Sequence, residues 1–581
     1  MKVDQYKQLN IRQIQQRNEN KGFTQNNKSG YQNIPSFTGG FDMFLRFLDT
    51  NQAWGANAVD LFCMVLPRTL TDFSRGPEAG IETARREGMG TANHSMVGVY
   101  GTLAGLALAS GINGAYKFGN NDVKAHSIFA DAETLDMQGA IWDAKLKAAK
   151  DNLSTNPLRE YLRETFRQYE ALSPTENGKW VKLKETDVEK AANILEKEIK
   201  STSKDMNKAE FNTAKNILIS STGAENNFRI IAKEGEKTHS SRYTADYIIE
   251  NTFKLGKVFN KDSVKEAFTK SGSIAENAFI QALKSMNVKR SLIGIGMASA
   301  VGISAQPLNM YLTKKKTGKS GFVGGGKEDN STKFKIKKSL VAALFGAGVL
   351  ATIGNPKNLV KDLQFKGFTP TLKQFKFIYG ITIISRFMSS RNDNELAECS
   401  IKDTLGFANW LILGNFVQKL VAQWLDKSLI KKDGQGVIKW ITNSVLKSRD
   451  EILHSALGNK VFKDGKALSY KEMVSALPKN SAARKQLRVL SIAQIAGYAY
   501  SALILGRGIP KLNIYLTNKR MEKQAKKEAA VSEQGQNTNQ AKSQQPAMTS
   551  KLNSGADSML TPENIAFLNN NQKYFATALD S

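Results

Sequence analysis

Leu308-Asn309-Met310-Tyr311-Leu312-Thr313-Lys314-Lys315-Lys316 and Leu512-Asn513-Ile514-Tyr515-Leu516-Thr517-Asn518-Lys519-Arg520 are two versions of one exit from an apolar helix. The motif LNxYLT is common to both. Each copy is preceded by a proline, Pro307 or Pro510, and follows an uncharged stretch entered through basic residues, Lys289-Arg290 or Arg484-Lys485-Arg488. Agreement of this kind in equivalent contexts indicates an internal repeat, with two copies of one helix in one orientation. The residue types suit a membrane boundary: proline loosens a helix near its end, tyrosine favours the interface, and a basic cluster meets anionic head groups. Pro307, Asn309, Tyr311 and Lys314, with Pro510, Asn513, Tyr515 and Lys519, are therefore expected to flank a membrane.

Outward from this repeat, residues 96–112, 292–305, 340–353 and 489–506 contain no ionisable side chain except tyrosine. Crossing a hydrocarbon core of about 30 Å takes roughly 17 to 20 helical residues, so the two middle stretches need help from their flanks. Each stretch spaces small residues four apart: Gly101, Gly105 and Ala109; Gly294, Ala298 and Gly302; Ala343, Ala347 and Ala351; Ala493, Gly497 and Ser501. Lipid supplies little hydrophobic drive for helix pairing, so close backbone approach at small residues must supply the packing. Gly101, Gly105, Gly294, Ala298, Gly302, Ala343, Ala347 and Gly497 are the expected contact points.

The charge of +29 favours a polyanionic neighbour, either an anionic membrane face or nucleic acid. Its distribution favours the membrane. Residues 313–338 carry nine Lys against Glu328 and Asp329, and residues 507–530 carry seven basic side chains against two acidic ones. Both clusters directly follow apolar runs, as the positive-inside rule requires of cytoplasmic flanks. With four spans the termini share a side, and both are expected in the cytoplasm. Residues 1–20 contain no apolar h-region, so no cleavable signal peptide is expected. Two cysteines, Cys63 and Cys399, exclude a disulfide framework and a CxxC metal pattern.

The expected fold class is all-α: a helical membrane protein with about four apolar helices, helical soluble loop domains and disordered ends. Its parts are an Asn/Gln-rich arm (1–34), an N-terminal region with the first apolar helix (35–119), a soluble helical domain (120–290), an apolar helix pair with a basic Gly-rich loop (291–354), a second helical region (355–488), the repeated helix and exit (489–520), a polar tail (521–560) and a short terminal helix (561–581). Val188, Ala191, Ala192, Leu195 and Ile199 share one helical face, preceded by a capping-box pair, Thr186 and Glu189. Between residues 407 and 425 an amphipathic pattern suits a domain core or the membrane interface. Residues 461–468 carry Asp464-Gly465, a hairpin turn.

No catalytic constellation emerges. Gly318-Lys319-Ser320 ends a stretch that lacks the first glycine and the preceding strand of a P-loop, and Gly294 to Ala300 lies inside an apolar helix rather than after a strand. The four histidines, His94, His126, His239 and His454, have no second metal ligand at helical spacing. Charges between Asp60 and Glu87, and between Asp393 and Asp403, are expected to form ordinary helix ion pairs. No cofactor, metal or enzymatic activity is expected. The leading expectation is a multi-pass membrane protein acting as a structural or interaction component, with an anionic lipid membrane and a protein partner or second copy as neighbours. A soluble or peripheral basic protein binding nucleic acid, and a transporter, are the alternatives.

Overall fold

The computed structural model describes residues 40–542 except 51, 153–154, 177, 232–240, 320, 322–327, 355–357, 410–415 and 432–445. The arm 1–34, the glycines 324–326, the middle of the amphipathic stretch and the terminal helix expected over 561–581 lie outside the described residues. The chain is helical, and four of its helices are long and apolar enough to cross a membrane. Each contains one of the four uncharged stretches.

The chain opens with α1 (Gly40–Thr50) and α2, which joins Gln52–Ala58, a π-helical turn Val59–Val65 and Leu66–Phe73. Gly76, at φ 128°, turns the chain into α3 (Pro77–Ala115), whose proline sits where a helix lacks an amide partner anyway. A folded domain follows, made of α4 (Ala132–Lys150), α5 (Pro157–Arg167), β1 (Tyr169–Ser173), β2 (Lys179–Lys182), α6 (Glu185–Lys200), α7 (Lys208–Thr222), β3 (Asn226–Ile230), β4 (Tyr243–Thr244), α8 (Ala245–Phe259) and α9 (Asp262–Lys270). The chain returns to the bundle in α10 (Ala278–Thr317), which ends at Gly318 in the left-handed region, and continues through α11 (Thr332–Ile353), α12 (Leu372–Met388), α13 (Asp393–Phe407) and α14 (Phe416–Leu425). After α15 (Arg449–Leu457), a hairpin of β5 (Phe462–Lys463) and β6 (Lys466–Ala467), and α16 (Tyr470–Ala476), the last long run is α17 (Ala482–Tyr500), a π-helical turn Ser501–Gly508, and α18 (Ile509–Lys542). Residues 518–542, the first part of the expected polar tail, are helical and form a separate unit.

The contacts orient these runs. Gly105 lies against Arg290, Gly101 against Gly294 and Arg85 against Thr313, so α3 and α10 are antiparallel. Asn513 reaches Glu398, Tyr500 reaches Asn409 and Gly497 faces Gln418, so α17–α18 runs antiparallel to α13–α14 in the same way. Arg75 to Glu398 and Lys402 to Glu87 bring both exits, Thr313 and Thr517, to one end of the bundle, the charged end. Leu45 meets Gln494 and Arg68 meets Leu505, so α2 runs toward that end alongside α17. Ser291 meets Phe365 and Ile303 meets Ser385, so α12 does the same alongside α10. Lys337 near Asp393 starts α11 at the charged end, and Val349 beside Gly380 carries it away. Among the described residues the chain thus runs between the ends in α2, α3, α10, α11, α12, α13–α14 and α17, the four long apolar helices being joined by three further runs. Residue 40 and Thr517 lie at opposite ends, because α2, α12 and α13–α14 fill the bundle although charged residues interrupt their apolar runs.

Two local expectations change and one holds. The domain expected to be purely helical encloses a four-stranded antiparallel sheet of order β2-β1-β3-β4, whose central strand alternates buried Tyr169, Ala171 and Ser173 with half-buried neighbours. Helix α6 does bury Val188, Ala191, Ala192, Leu195 and Ile199, but it starts at Glu185, a residue before Thr186, so no capping box forms and Glu189 pairs with Arg159 and Arg163 instead. The hairpin at Asp464-Gly465 is present, with both residues at positive φ.

Arg290 is fully buried, donating to the carbonyls of His126 at 2.8 Å and Ile128 at 3.0 Å, while Asn287 donates to that of Ala130. These bonds fix the folded domain to α10. The region after α14 packs on the same domain: His454 Nδ1 meets Ser220 Oγ at 2.8 Å and its Nε2 meets Asn216 Oδ1 at 3.1 Å.

Burial pushes the His454 imidazole down to about 4, with Asp450 opposing the shift. The unfolded chain binds a proton below about pH 6.5 that the folded chain refuses, so this stability is complete above that pH and is lost as pH falls toward 4. The loss approaches about 3 kcal/mol at pH 4. Thermal unfolding of wild type and H454Q at pH 7 and pH 4.5 checks this: the acid loss is larger in wild type, and equal losses reject it.

Candidate functional site

The charges between Asp60 and Glu87 and between Asp393 and Asp403 were expected to pair along their own helices. Asp72–Arg75 and Arg391–Glu395 do so. Most of the others reach across the bundle. The Glu87 carboxylate is surrounded by Arg386 at 3.2 Å, Lys402 at 3.2 Å, Arg86 at 3.4 Å and Arg68 at 3.6 Å, and Arg386 also holds Asp403 at 3.1 Å. All six side chains are buried. Arg75 from α2 pairs with Glu398 on α13 at 3.2 Å. A buried ion pair is costly to break, since the partner left behind stays desolvated.

Glycine makes room for this layer. A Cβ on Gly90 would lie 3.6 Å from an Arg386 nitrogen, and one on Gly406 would lie 2.9 Å from an Arg68 nitrogen. The two sites correspond in sequence. Glu82, Arg86, Glu87, Gly90, Ala92 and Asn93 of α3 match Glu398, Lys402, Asp403, Gly406, Ala408 and Asn409 at identical spacing. This pattern was the missed signal: charge-conserving exchanges at two of the six positions hide it from a search for identities.

The two exits also match in burial. Asn309 and Asn513 are 0% and 1% exposed, Thr313 and Thr517 are buried, and Tyr311 and Tyr515 are 62% and 60% exposed. Thr313 accepts from Arg85, whereas Asn513 and Thr517 both donate to Glu398. Each proline leaves a carbonyl without its helical donor, and each carbonyl is served from the neighbouring run. Pro307 frees the Ile303 carbonyl, which accepts from Ser385 at 2.6 Å. In the π-helical turn before Pro510 bonds span five residues, as Ile509 to Ile504 does, so the freed carbonyl is Leu505, and Arg68 donates to it at 3.2 Å. Pro307 itself is exposed and Pro510 buried; Lys314 is exposed at the end of α10, and Lys519 belongs to the separate unit 518–542.

Of the small residues, Gly294 and Gly101 touch directly, since a Cβ on Gly294 would stand 2.8 Å from the Gly101 Cα. Gly105 abuts Arg290, Gly302 abuts Thr382, and Gly497 abuts Gln418. Ala298 is buried and its carbonyl accepts from Asn93. Ala343 and Ala347 are exposed: α11 packs through Ala342, Gly346, Val349 and Ile353, a face rotated by one residue.

No family model, curated protein or solved structure matches this chain.

Exposure is reversed across the molecule. The bundle buries charges yet exposes large apolar side chains such as Leu70, Leu103, Leu292, Ile303, Leu344 and Leu503. The amphipathic stretch is mixed: Phe407, Gln418 and Lys419 are buried, Val417 and Val421 are half-buried, and Trp424 is 83% exposed. Among the described residues, none of the large exposed apolar side chains falls between 107 and 291 or between 426 and 491. No group of His, Cys, Asp and Glu capable of holding a metal occurs among the described residues.

Two outcomes are expected. G294L forces α3 and α10 apart and lowers stability by about 1–3 kcal/mol, whereas G296L, with nothing within 4 Å of its Cβ, leaves the melting temperature in detergent unchanged. E87Q removes the carboxylate shared by four buried cations, leaving only Arg386 with its second acid Asp403, and costs about 3 kcal/mol or more, read as lost folded yield and a lower melting temperature.

Proposed function

We propose that this chain is a multi-pass integral membrane protein, assembled from two copies of a three-helix unit, that holds a folded domain against the bilayer as a structural or interaction component. The first copy is α2, α3 and α10, and the second is α12, α13–α14 and α17–α18. The observation that carries the reading is where large apolar side chains are exposed: many are exposed on the bundle, which buries charges, and none is among the described residues of 116–277 and 426–481.

The dimensions support it. From exposed Leu292 to exposed Tyr311, α10 covers nineteen residues, about 28 Å, which is close to a hydrocarbon core. Tyr311 and Tyr515 mark the charged end, while Trp54 and Trp424, both exposed, mark the other. Paired aromatic girdles of this kind sit at the two interfaces of a membrane protein. Helix α1 exposes Met43, Phe44 and Phe47 and buries Asp42, a pattern suited to lying in the interface.

The positive-inside rule assigns the charged end to the cytoplasm, because Lys314, Lys315, Lys316, Lys333, Lys335, Lys337 and Lys511 are exposed there. Residues 116–277 and 426–481 then share the far side, with residue 40. The charges buried within the bundle also favour a second reading, a transporter, since intramembrane charge is where pathways form.

In a background lacking Cys63 and Cys399, S203C and K463C are expected to react together with an impermeant reagent on one side of the membrane, and K316C only from the other. Carbonate extraction should leave the protein in the pellet. Release by carbonate, or S203C and K316C reacting from the same side, rejects the membrane reading; detergent-free protein retained on DNA in a salt-dependent way then favours nucleic acid.

A further inference from the structure

Two copies of one unit explain most of the polar residues inside the bundle, because each has a counterpart. Glu87 corresponds to Asp403, Arg86 to Lys402, Glu82 to Glu398 and Asn309 to Asn513. One pair has none. Asp60 on α2 and His94 on α3 are buried, with His94 Nδ1 at 4.0 Å from Asp60 Oδ2. Matching Arg68 to Arg386 sets Ile378 opposite Asp60, and matching α3 to α13 sets Trp410 opposite His94.

His94 is fully buried, and neither ring nitrogen has a hydrogen-bond partner among the described residues. Its ring is gripped by Phe375 at 5.0 Å and Tyr379 at 4.9 Å, both on α12. Asp60 already accepts from Thr91 Oγ1 at 2.5 Å, which aims the carboxylate at α3. It also lies in the π-helical turn of α2, which packs on the π-helical turn of α17–α18 through Cys63 and Gly506. Such turns cost helix stability and recur at functional sites.

We infer that His94 and Asp60 form a proton-binding site inside the bundle, its ligand a proton exchanged with water. The inference rests on the membrane reading only for the site's setting. A proton from water adds to Nδ1 of the neutral imidazole, the imidazolium is met by the Asp60 carboxylate, and release returns the proton to water. Binding draws α3 toward the π-helical turn of α2. The other charged or titratable groups facing this level are Arg68 on α2, Glu87 on α3, Tyr379 and Arg386 on α12 and Asp403 on α13. Residues 292–310 of α10 and 489–497 of α17 have no ionisable side chain.

Nitrogen-15 NMR of histidine-labelled full-length protein in lipid nanodiscs tests this, since the chain has four histidines. H94Q assigns the His94 resonance; H126Q, H239Q and H454Q assign it by elimination should H94Q fail to fold. The His94 signal is expected to respond to pH, and D60N should lower its proton affinity at least tenfold. A signal that stays fixed from pH 4 to pH 9, or a midpoint unchanged in D60N, overturns the site. If carbonate releases the protein while His94 still titrates with its dependence on Asp60, the membrane reading fails and the proton site stands.

Discussion

One carboxylate among four cations holds this bundle together. Glu87 meets Arg68 of α2, Arg86 of its own helix, Arg386 of α12 and Lys402 of α13, so four of the seven runs are tied at one buried point. Desolvation makes each of these charges costly alone, which turns the cluster into a constraint on register: no run can slide without stranding a charge. Gly406 follows from it, because a Cβ there would stand 2.9 Å from an Arg68 nitrogen of the layer. Asp403 repeats Glu87 on the opposite run, although only Arg386 bridges the two acids directly.

The same economy governs the broken helices. A proline in a buried helix frees a carbonyl that must find a donor where water is scarce. In α10 the donor is Ser385 and in the last run it is Arg68, each from the run that lies parallel to the proline's own helix. One bond replaces a four-residue span and the other a five-residue span, so the two copies solve one problem with different backbone geometry. The π-helical turn is therefore part of how Arg68 is positioned for Glu87.

The folded domain is fastened to the bundle by polar bonds. Arg290 and Asn287 on α10 donate to carbonyls of residues 126, 128 and 130, and His454 joins the region after α14 to α7. Under the proposed membrane reading these fasteners sit just outside the hydrocarbon, where hydrogen bonds to backbone carbonyls hold a fixed angle without exposing apolar surface. They give the domain a defined orientation to the bundle, which a flexible linker would not.

Periodicity in the sequence was enough to determine the helical class, the four long apolar helices and the face of α6, because all of these are set by residues within a few turns of one another. The hairpin at Asp464-Gly465 was legible for the same reason. Only the tertiary structure decided which charges pair. Arg75 and Glu398 are more than three hundred positions apart, and nothing local distinguishes them from an i,i+4 pair. It also decided that α2, α12 and α13–α14 belong to the bundle, since an arginine interrupts an apolar run in sequence yet is neutralised in space by a distant acid. The rotated face of α11 and the outward Trp424 arose likewise: a helix apolar on several sides shows its contact face only once its neighbours are in place.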